Sequence, residues 1–251
     1  MNKEEQILEK FSKIAKFNTT MVENMQTLSS MNNYYKWLAS IIRPYVGKKV
    51  LDVGCANGNL SQFFTNRELV GMDISPEYLK MIQERFKNAK NFSTFLIDAS
   101  NPKQMEKLQK FEFDTAISMN VFEHIKDDVS AFKNVFNVLK PGAHFMVIVP
   151  AMKQLYAILD YEGGHFRRYN RKDLTSRLKV AGFQIVHSRY INFPGAVGWF
   201  INYTLMKKRL FAKGTFKMYN NLVPLFKLTE SIVKFPFGMS VIAIAKKPEQ
   251  I

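Results

Sequence analysis

Four side chains with acid–base or anion-binding chemistry fall within five residues of the run YEGGHFRRYN: His165, Arg167, Arg168 and Tyr169. An imidazole titrating near neutrality can take a proton from a hydroxyl or ammonium, guanidinium groups can meet an anion, and a phenol can orient a substrate. The spacing nominates His165 as a base, Tyr169 to orient the substrate, and Arg167 or Arg168 to meet an anionic group of the acceptor. A structural loop with solvated arginines is the competing reading. A second set of residues is spaced for binding. In KKVLDVGCANGNL, residues 48–60, a short apolar run stops at Gly54, and Gly54 and Gly58 bracket the small residues Cys55, Ala56 and Asn57. Such a turn lets the backbone approach a ligand closely and offers it free N–H groups. Asp73 ends the next apolar run, where a carboxylate can accept both hydroxyls of a ribose. The dinucleotide pattern G-x-G-x-x-G is not met, because Ala56 stands between the glycines. An adenosine-containing ligand without phosphates needs that closest approach less than a pyrophosphate does.

These residues must be held by strands and helices in alternation. Apolar runs at 50–53, 69–74, 92–97, 113–119 and 145–149 are short and glycine-bounded or followed by acidic and polar residues, as expected of strand ends in a buried parallel sheet. Ser75-Pro76-Glu77 is a helix start, running to Phe86 or Lys87, and Pro102 to Gln109 is a short polar helix. Asp127 and Asp128 open a helix whose stripe is Val129, Phe132, Val135, Phe136 and Leu139, stopped by Pro141-Gly142. Asn59 to Phe64, Tyr34 to Val46 and Asp173 to Ala181 also read as helical, and Phe183 to Ile191 as a sixth strand. Repeated units of this kind predict an α/β fold with a doubly wound, mostly parallel sheet. Met239 to Ala245 reads as a final edge strand.

The ordered segments VLDVGCANGNL, VGMDIS, FLIDAS, FDTAISMNVFEHI and LKPGAHFMVIVP resemble the motifs of class I S-adenosylmethionine-dependent methyltransferases. That resemblance implies a seven-stranded Rossmann-like sheet and S-adenosyl-L-methionine as cofactor. It also implies that Asp52 supports the glycine loop, Asp73 holds the ribose and Asp98 reaches the adenine amine. Gly54, Cys55, Ala56, Gly58, Ile74, Ala99 and Asn120 would line the same cleft. YYKWLASIIRPY, GHFRRY, AGF and FPGAVGWF resemble more narrowly a subgroup associated with envelope-polysaccharide functions. The implied acceptor is a small molecule, a sugar or a lipid-linked compound. RNA methylation and a catalytically silent cofactor-binding protein are the alternatives.

Composition bounds the remainder. The chain has 251 residues, 47% apolar, enough for one large α/β domain. Its division is expected at a helical cap over 1–47, a cofactor-binding core over 48–192, a helical insertion over 193–238, and a last strand and tail over 239–251. The single cysteine, Cys55, excludes an intramolecular disulfide and fits a reducing cytoplasm. The four histidines show no compact metal-ligand spacing, so no metal is expected. No signal peptide is read in the first residues, and the uncharged stretch Ile191 to Met206, 16 residues, is short of a spanning helix. Charge is uneven: residues 1–150 carry 19 Lys and Arg against 16 Asp and Glu, residues 151–251 carry 17 against 5. The insertion holds ten aromatics, seven Lys or Arg and one acid, Glu230. It is expected to supply Trp199 and Tyr203 to the acceptor, with a helix over Val197 to Phe211. Peripheral contact with an anionic membrane at its inner face is expected of that basic segment, ahead of nucleic acid.

Overall fold

The computed structural model of the chain describes residues 30–208 and 214–249; the first 29 residues of the helical cap expected over 1–47 lie outside them. Seven strands form one sheet in the order β3-β2-β1-β4-β5-β7-β6. They are β1 (Lys49–Val53), β2 (Glu68–Asp73), β3 (Phe92–Leu96), β4 (Phe113–Met119), β5 (Leu139–Pro150), β6 (Gln184–Ile191) and β7 (Ser240–Lys246). The first five run parallel, and β7 lies antiparallel between β5 and β6. The mostly parallel doubly wound sheet is therefore as expected, with the last strand as the exception. Read as an edge, SVIAIAK is instead an interior strand. Its run is buried from Ser240 to Ala245, which suits a strand covered on both faces.

Helices cover both faces. On one side lie α1 (Asn32–Ile42), α2 (Pro76–Arg85) and α8 (Thr215–Ile232), which join Val50, Leu69, Ile117, Ile148 and Ile244 in one apolar cluster. On the other lie α3 (Pro102–Met105), α4 (Asp128–Val138) and α6 (Arg171–Val180), packed with Leu51, Val53, Phe145 and Val147. Alternate residues of β1 and β5 thus point to opposite cores, the period-two signature of a sheet buried on both sides. Two further short helices, α5 (Ile158–Glu162) and α7 (Phe193–Trp199), sit beyond the C-terminal ends of β5 and β6.

Several boundaries differ for identifiable reasons. Asn59 to Phe64 forms no α-helix, only a 3₁₀ turn over Ser61–Phe64, because the chain must enter β2 four residues later. The helix at Pro102 becomes 3₁₀ from Glu106 to Phe111, closed by Glu112 in the left-handed region. β5 starts at Leu139 rather than Phe145: Gly142 takes φ 78° and its N–H donates to Lys247 O, so Pro141-Gly142 kinks the strand without ending it. The helix expected over Val197 to Phe211 is α7 followed by a π-helical turn over Phe200–Leu205.

α8 contains Pro224, which has no N–H for the Asn220 carbonyl one turn earlier. That carbonyl is satisfied from outside the helix, by Asn33 Nδ2 at 3.0 Å, while Asn220 Oδ1 accepts from Asn33 N at 2.9 Å. Helix α8 is in this way tied to α1 at the position where its own ladder is interrupted.

Candidate active site

The C-terminal ends of β1, β2, β3 and β4 lie side by side, which brings the expected cofactor residues to one edge. After β1 the backbone enters positive φ three times, at Gly54 (70°), Ala56 (44°) and Gly58 (76°). Two of these positions require glycine for packing alone. A Cβ on Gly54 would lie 2.3 Å from Val121 Cγ2, and one on Gly58 would lie 2.8 Å from the Phe86 ring. The close approaches made by the two glycines are therefore to the protein's own side chains. Ala56 adopts the left-handed conformation with a Cβ, at a cost of about 1 kcal/mol.

Asp73 fixes this loop. Its Oδ2 accepts from Ala56 N at 2.9 Å and its Oδ1 from Ser75 N at 2.9 Å. Burial raises its pKa, with the backbone donors of Ser75 and Ala56 working in the opposite direction. Asp52 is wholly buried beneath the loop and receives the Ser61 hydroxyl, and burial pushes its carboxyl up to about 7. Cys55 is buried, with its thiol pKa raised by that burial, so it offers no thiolate at neutral pH. Asp98 is half-buried and accepts from Ser100 N and Oγ. Leu96, the cross-strand partner of Asp73, is 55% exposed and Ile74 is half-buried, while Ala99 is buried and Asn120 is exposed at φ 54°. Carboxylates at the ends of β2 and β3 with an uncovered leucine beside Asp73 fit an adenosine: polar atoms for the sugar and amine, apolar surface for the ring. S-adenosylmethionine, an adenosine ligand without phosphates, suits this donor set.

The acceptor-side residues meet beyond β4 and β5. Asp160, buried on α5, is their hub: Oδ1 lies 2.9 Å from His165 Nδ1 and 2.8 Å from Arg168 Nε, and Oδ2 accepts from Ala157 N at 2.8 Å. Burial opposes its ionisation, but the His165 hydrogen bond and the Arg168 charge outweigh it and hold the carboxyl below its usual range. The imidazole of His165 is thereby oriented through Nδ1, leaving Nε2 directed away from the hub. Its ring meets that of His124 edge-on at 4.6 Å. Beside them Glu123 is 0% exposed, its two oxygens make no hydrogen bond among the described residues, and burial raises its pKa to about 7. Burial and the neighbouring His165 lower His124 to about 4. Glu123, His124 and His165 bring one ligand-type atom each within 4.8 Å of one another, a cluster among the described residues that sequence spacing did not disclose.

The other nominated residues are placed differently. Tyr169 is 1% exposed; its hydroxyl lies 2.6 Å from Asp128 Oδ2 and 3.0 Å from Phe122 O. It supports the loop after β4 from within the core. Arg168 is buried on Asp160, donates to Ala151 O at 3.1 Å, and lies 4.7 Å from the Trp199 ring. Arg167 is partly exposed and pairs with Asp128 at 2.8 Å, which also receives Arg177 at 2.6 Å. Both arginines are thus engaged by internal carboxylates, the reverse of the anion-binding role read from sequence. Trp199 donates from Nε1 to Leu155 O at 2.8 Å, and its ring meets that of Tyr203 at a 51° tilt with the centroids 4.7 Å apart. An open groove of about 480 Å³ runs beside them, lined by Tyr156, Ala157, Ile158, Tyr161, Tyr203, Thr204 and Lys207. Tyr156 joins it to the hub by donating to His165 O at 2.6 Å. Asp160 and Glu123 were the residues missed. The pair Asp160 and His165, five apart across two glycines, was the available signal.

Comparison with known proteins places this geometry. Ubiquinone biosynthesis O-methyltransferase of Acinetobacter baumannii is 28% identical over 112 residues, 43% of this chain and 46% of that protein. The enzyme of the same name from Proteus mirabilis is 31% identical over 100 residues, covering 39% and 40%. The chain thus spans about half or less of the length of the curated relatives it matches. Among solved structures, phosphoethanolamine N-methyltransferase 2 of Haemonchus contortus superposes with a TM-score of 0.56 at 18% identity, over 86% of this chain and 52% of that one. An S-adenosylmethionine-dependent methyltransferase from Archaeoglobus fulgidus gives 0.55 at 16%, covering 85% and 94%. At those identities the likeness shows the fold. Residues 23–188, more than half of the chain, match the model of the methyltransferase-domain family, and the protein accordingly belongs to the class I S-adenosylmethionine-dependent methyltransferases.

Proposed function

We propose that the protein transfers a methyl group to a small-molecule acceptor, of sugar or lipid-linked type, held on the β4–β5 side of the sheet edge. The observation that carries this reading is the Asp160–His165 pair, oriented beyond β4 and β5 on the same sheet edge as Asp73 and Asp98, with β1 between the two sets. The cofactor supplies an electrophilic methyl on a sulfonium, which needs a nucleophile in line and at near contact. The protein's share is to hold the acceptor and remove its proton. Asp160 accepts from Nδ1 of His165, so the Nε2 lone pair can take a proton from an acceptor hydroxyl or amine, and the carboxylate stabilises the imidazolium that results. Glu123, with its pKa near neutrality, supplies a second carboxyl that can hold or pass on that proton. The groove lined by Tyr156, Tyr161 and Tyr203 offers an aromatic wall for the body of the acceptor. A sugar or lipid-linked acceptor is favoured by the resemblance to the envelope-polysaccharide group and by this aromatic lining.

The test is an acceptor screen with methyl-labelled S-adenosylmethionine against separated sugar, lipid, small-metabolite and RNA pools. Label is expected in one of the first three. With the acceptor found, His165→Ala should lower kcat by at least a hundredfold while the affinity for S-adenosylmethionine changes less than twofold. Unchanged turnover across pH removes His165 from the chemistry. Label confined to RNA replaces the acceptor class.

A further inference from the structure

The segment between β6 and β7 carries a surface of one character. Along α8, Met218, Leu222, Leu225, Leu228 and Ile232 are exposed, Ile232 to 76%. At 100° per residue they fall on one stripe about 20 Å long, opposite the buried Val223 and Glu230. Leu205 and Met206, at the end of the preceding turn, are exposed at 62% and 58%. The described lysines of the segment, Lys207, Lys208, Lys217, Lys227 and Lys234, are all exposed. Its sole acid, Glu230, is buried and accepts from Phe193 N at 2.8 Å. Solvent therefore meets aliphatic side chains and positive charge, with no described acid among them.

We infer that this face docks onto an anionic lipid surface, with α8 lying in the plane of the headgroups. Three observations select that occupant. The exposed stripe is aliphatic, whereas the aromatics of α8, Phe216, Tyr219 and Phe226, pack inward against the core that includes α1, so bases would find no stacking platform along α8. A second copy of the chain placed face to face would bring lysine against lysine with no acid to offset them. A bilayer with anionic headgroups answers both parts, since apolar side chains enter the acyl boundary and lysines remain at the phosphates. No helix among the described residues is long and apolar enough to cross a membrane, which makes the contact peripheral. Tyr203, Thr204 and Lys207 of the same segment line the groove described above, so a docked molecule would open its acceptor side toward the lipid. The docking itself does not depend on the proposed chemistry.

Flotation of the full chain with phosphatidylcholine vesicles, with and without phosphatidylglycerol, tests this at low and high salt. The protein should float with the anionic vesicles and keep a measurable bound fraction in high salt. Leu225→Asp with Ile232→Asp should weaken binding at least tenfold, with the melting temperature and S-adenosylmethionine affinity unchanged. Lys217→Glu with Lys227→Glu should reduce binding to the level on neutral vesicles. No flotation with anionic vesicles at low salt overturns the inference. So does binding that Leu225→Asp with Ile232→Asp leaves intact, tight RNA binding in place of vesicle binding, or a dimer that these substitutions dissociate without any vesicle affinity in the parent chain.

Discussion

Asp52 and Asp73 carry the same chemistry at adjacent strand ends and are set apart by their surroundings. Asp73 is met by two backbone N–H groups, whereas Asp52 is met by one hydroxyl in a wholly buried place. The folded pKa of Asp52, about 7, lies above the ordinary 3.8, so the folded state binds its proton more tightly than the unfolded chain. Its stabilising contribution is full below about pH 4 and is lost as pH rises through 7. Asp52→Asn should therefore remove on the order of 2 kcal/mol from the fall in stability between pH 4 and pH 8, read as the difference between paired denaturant titrations without cofactor. Parallel pH profiles for the two proteins would refute the assignment. For Asp73→Ala, calorimetry should show S-adenosylmethionine affinity reduced by about 1.5–3 kcal/mol, with Asp73→Asn as the folding control. Equal affinities exclude Asp73 as the ribose contact. Arg168→Leu leaves the buried Asp160 without its guanidinium and should cost about 3–5 kcal/mol, part of which Asp160→Asn in the same chain restores. The placement of Asp73 and Asp98 at strand ends was legible because apolar runs and turns announce such ends. The ion pairs of Arg167 and Arg168 were not, since sequence shows charge without showing which charges the fold will bury together.

Among the elements, α8 was the least legible. Its proline argued against a continuous helix, and the compensating donor, Asn33, lies 187 residues away in sequence from Asn220. A rule of local propensity has no access to such a partner. Asn33→Ala should strip both hydrogen bonds and raise amide exchange at least tenfold in α8 from Asn220 onward, with β5 and β7 unaffected. Exchange confined to the ends of α8 in that variant would show that Pro224 needs no outside donor. β7 illustrates the opposite case. Its composition was legible, but whether a buried strand comes last at the edge or slips between earlier strands is a matter of topology. The π-helical turn after Trp199 has no local signature in the chain; it follows a tryptophan already held by Leu155 O and stacked on Arg168.

At the scale of the molecule, the sheet divides labour between its two ends. The parallel strands β1 to β4 present the cofactor edge, which motif order made readable. The half proposed to hold the acceptor is assembled from α5, the loops after β4 and β5, and the segment between β6 and β7, whose side chains meet only after folding. Exchange measured over the whole chain should resolve two tiers, with β4, β5 and β7 slowest and α1 opening together with α8. Independent opening of those two helices would contradict the packing.

The place where the chain leaves and rejoins the sheet has a further consequence. Asn192, at φ 65°, gives its carbonyl to Met239 N at 3.0 Å, and its side chain accepts from Gly195 N at 2.9 Å and from the Tyr219 hydroxyl. A Cβ on Gly238 would lie 2.3 Å from Ile191 O, so the two ends of the segment are pressed together. Beyond that stem, β6 and β7 keep an antiparallel pairing that runs from Ile191↔Ser240 to Gln184↔Lys246. Whatever is carried between the two strands can therefore change in length and sequence without moving a single rung of the ladder. The hairpin works as a socket: a lineage, or a designer, can plug a different module into it while the ends of β1 to β4 keep their geometry.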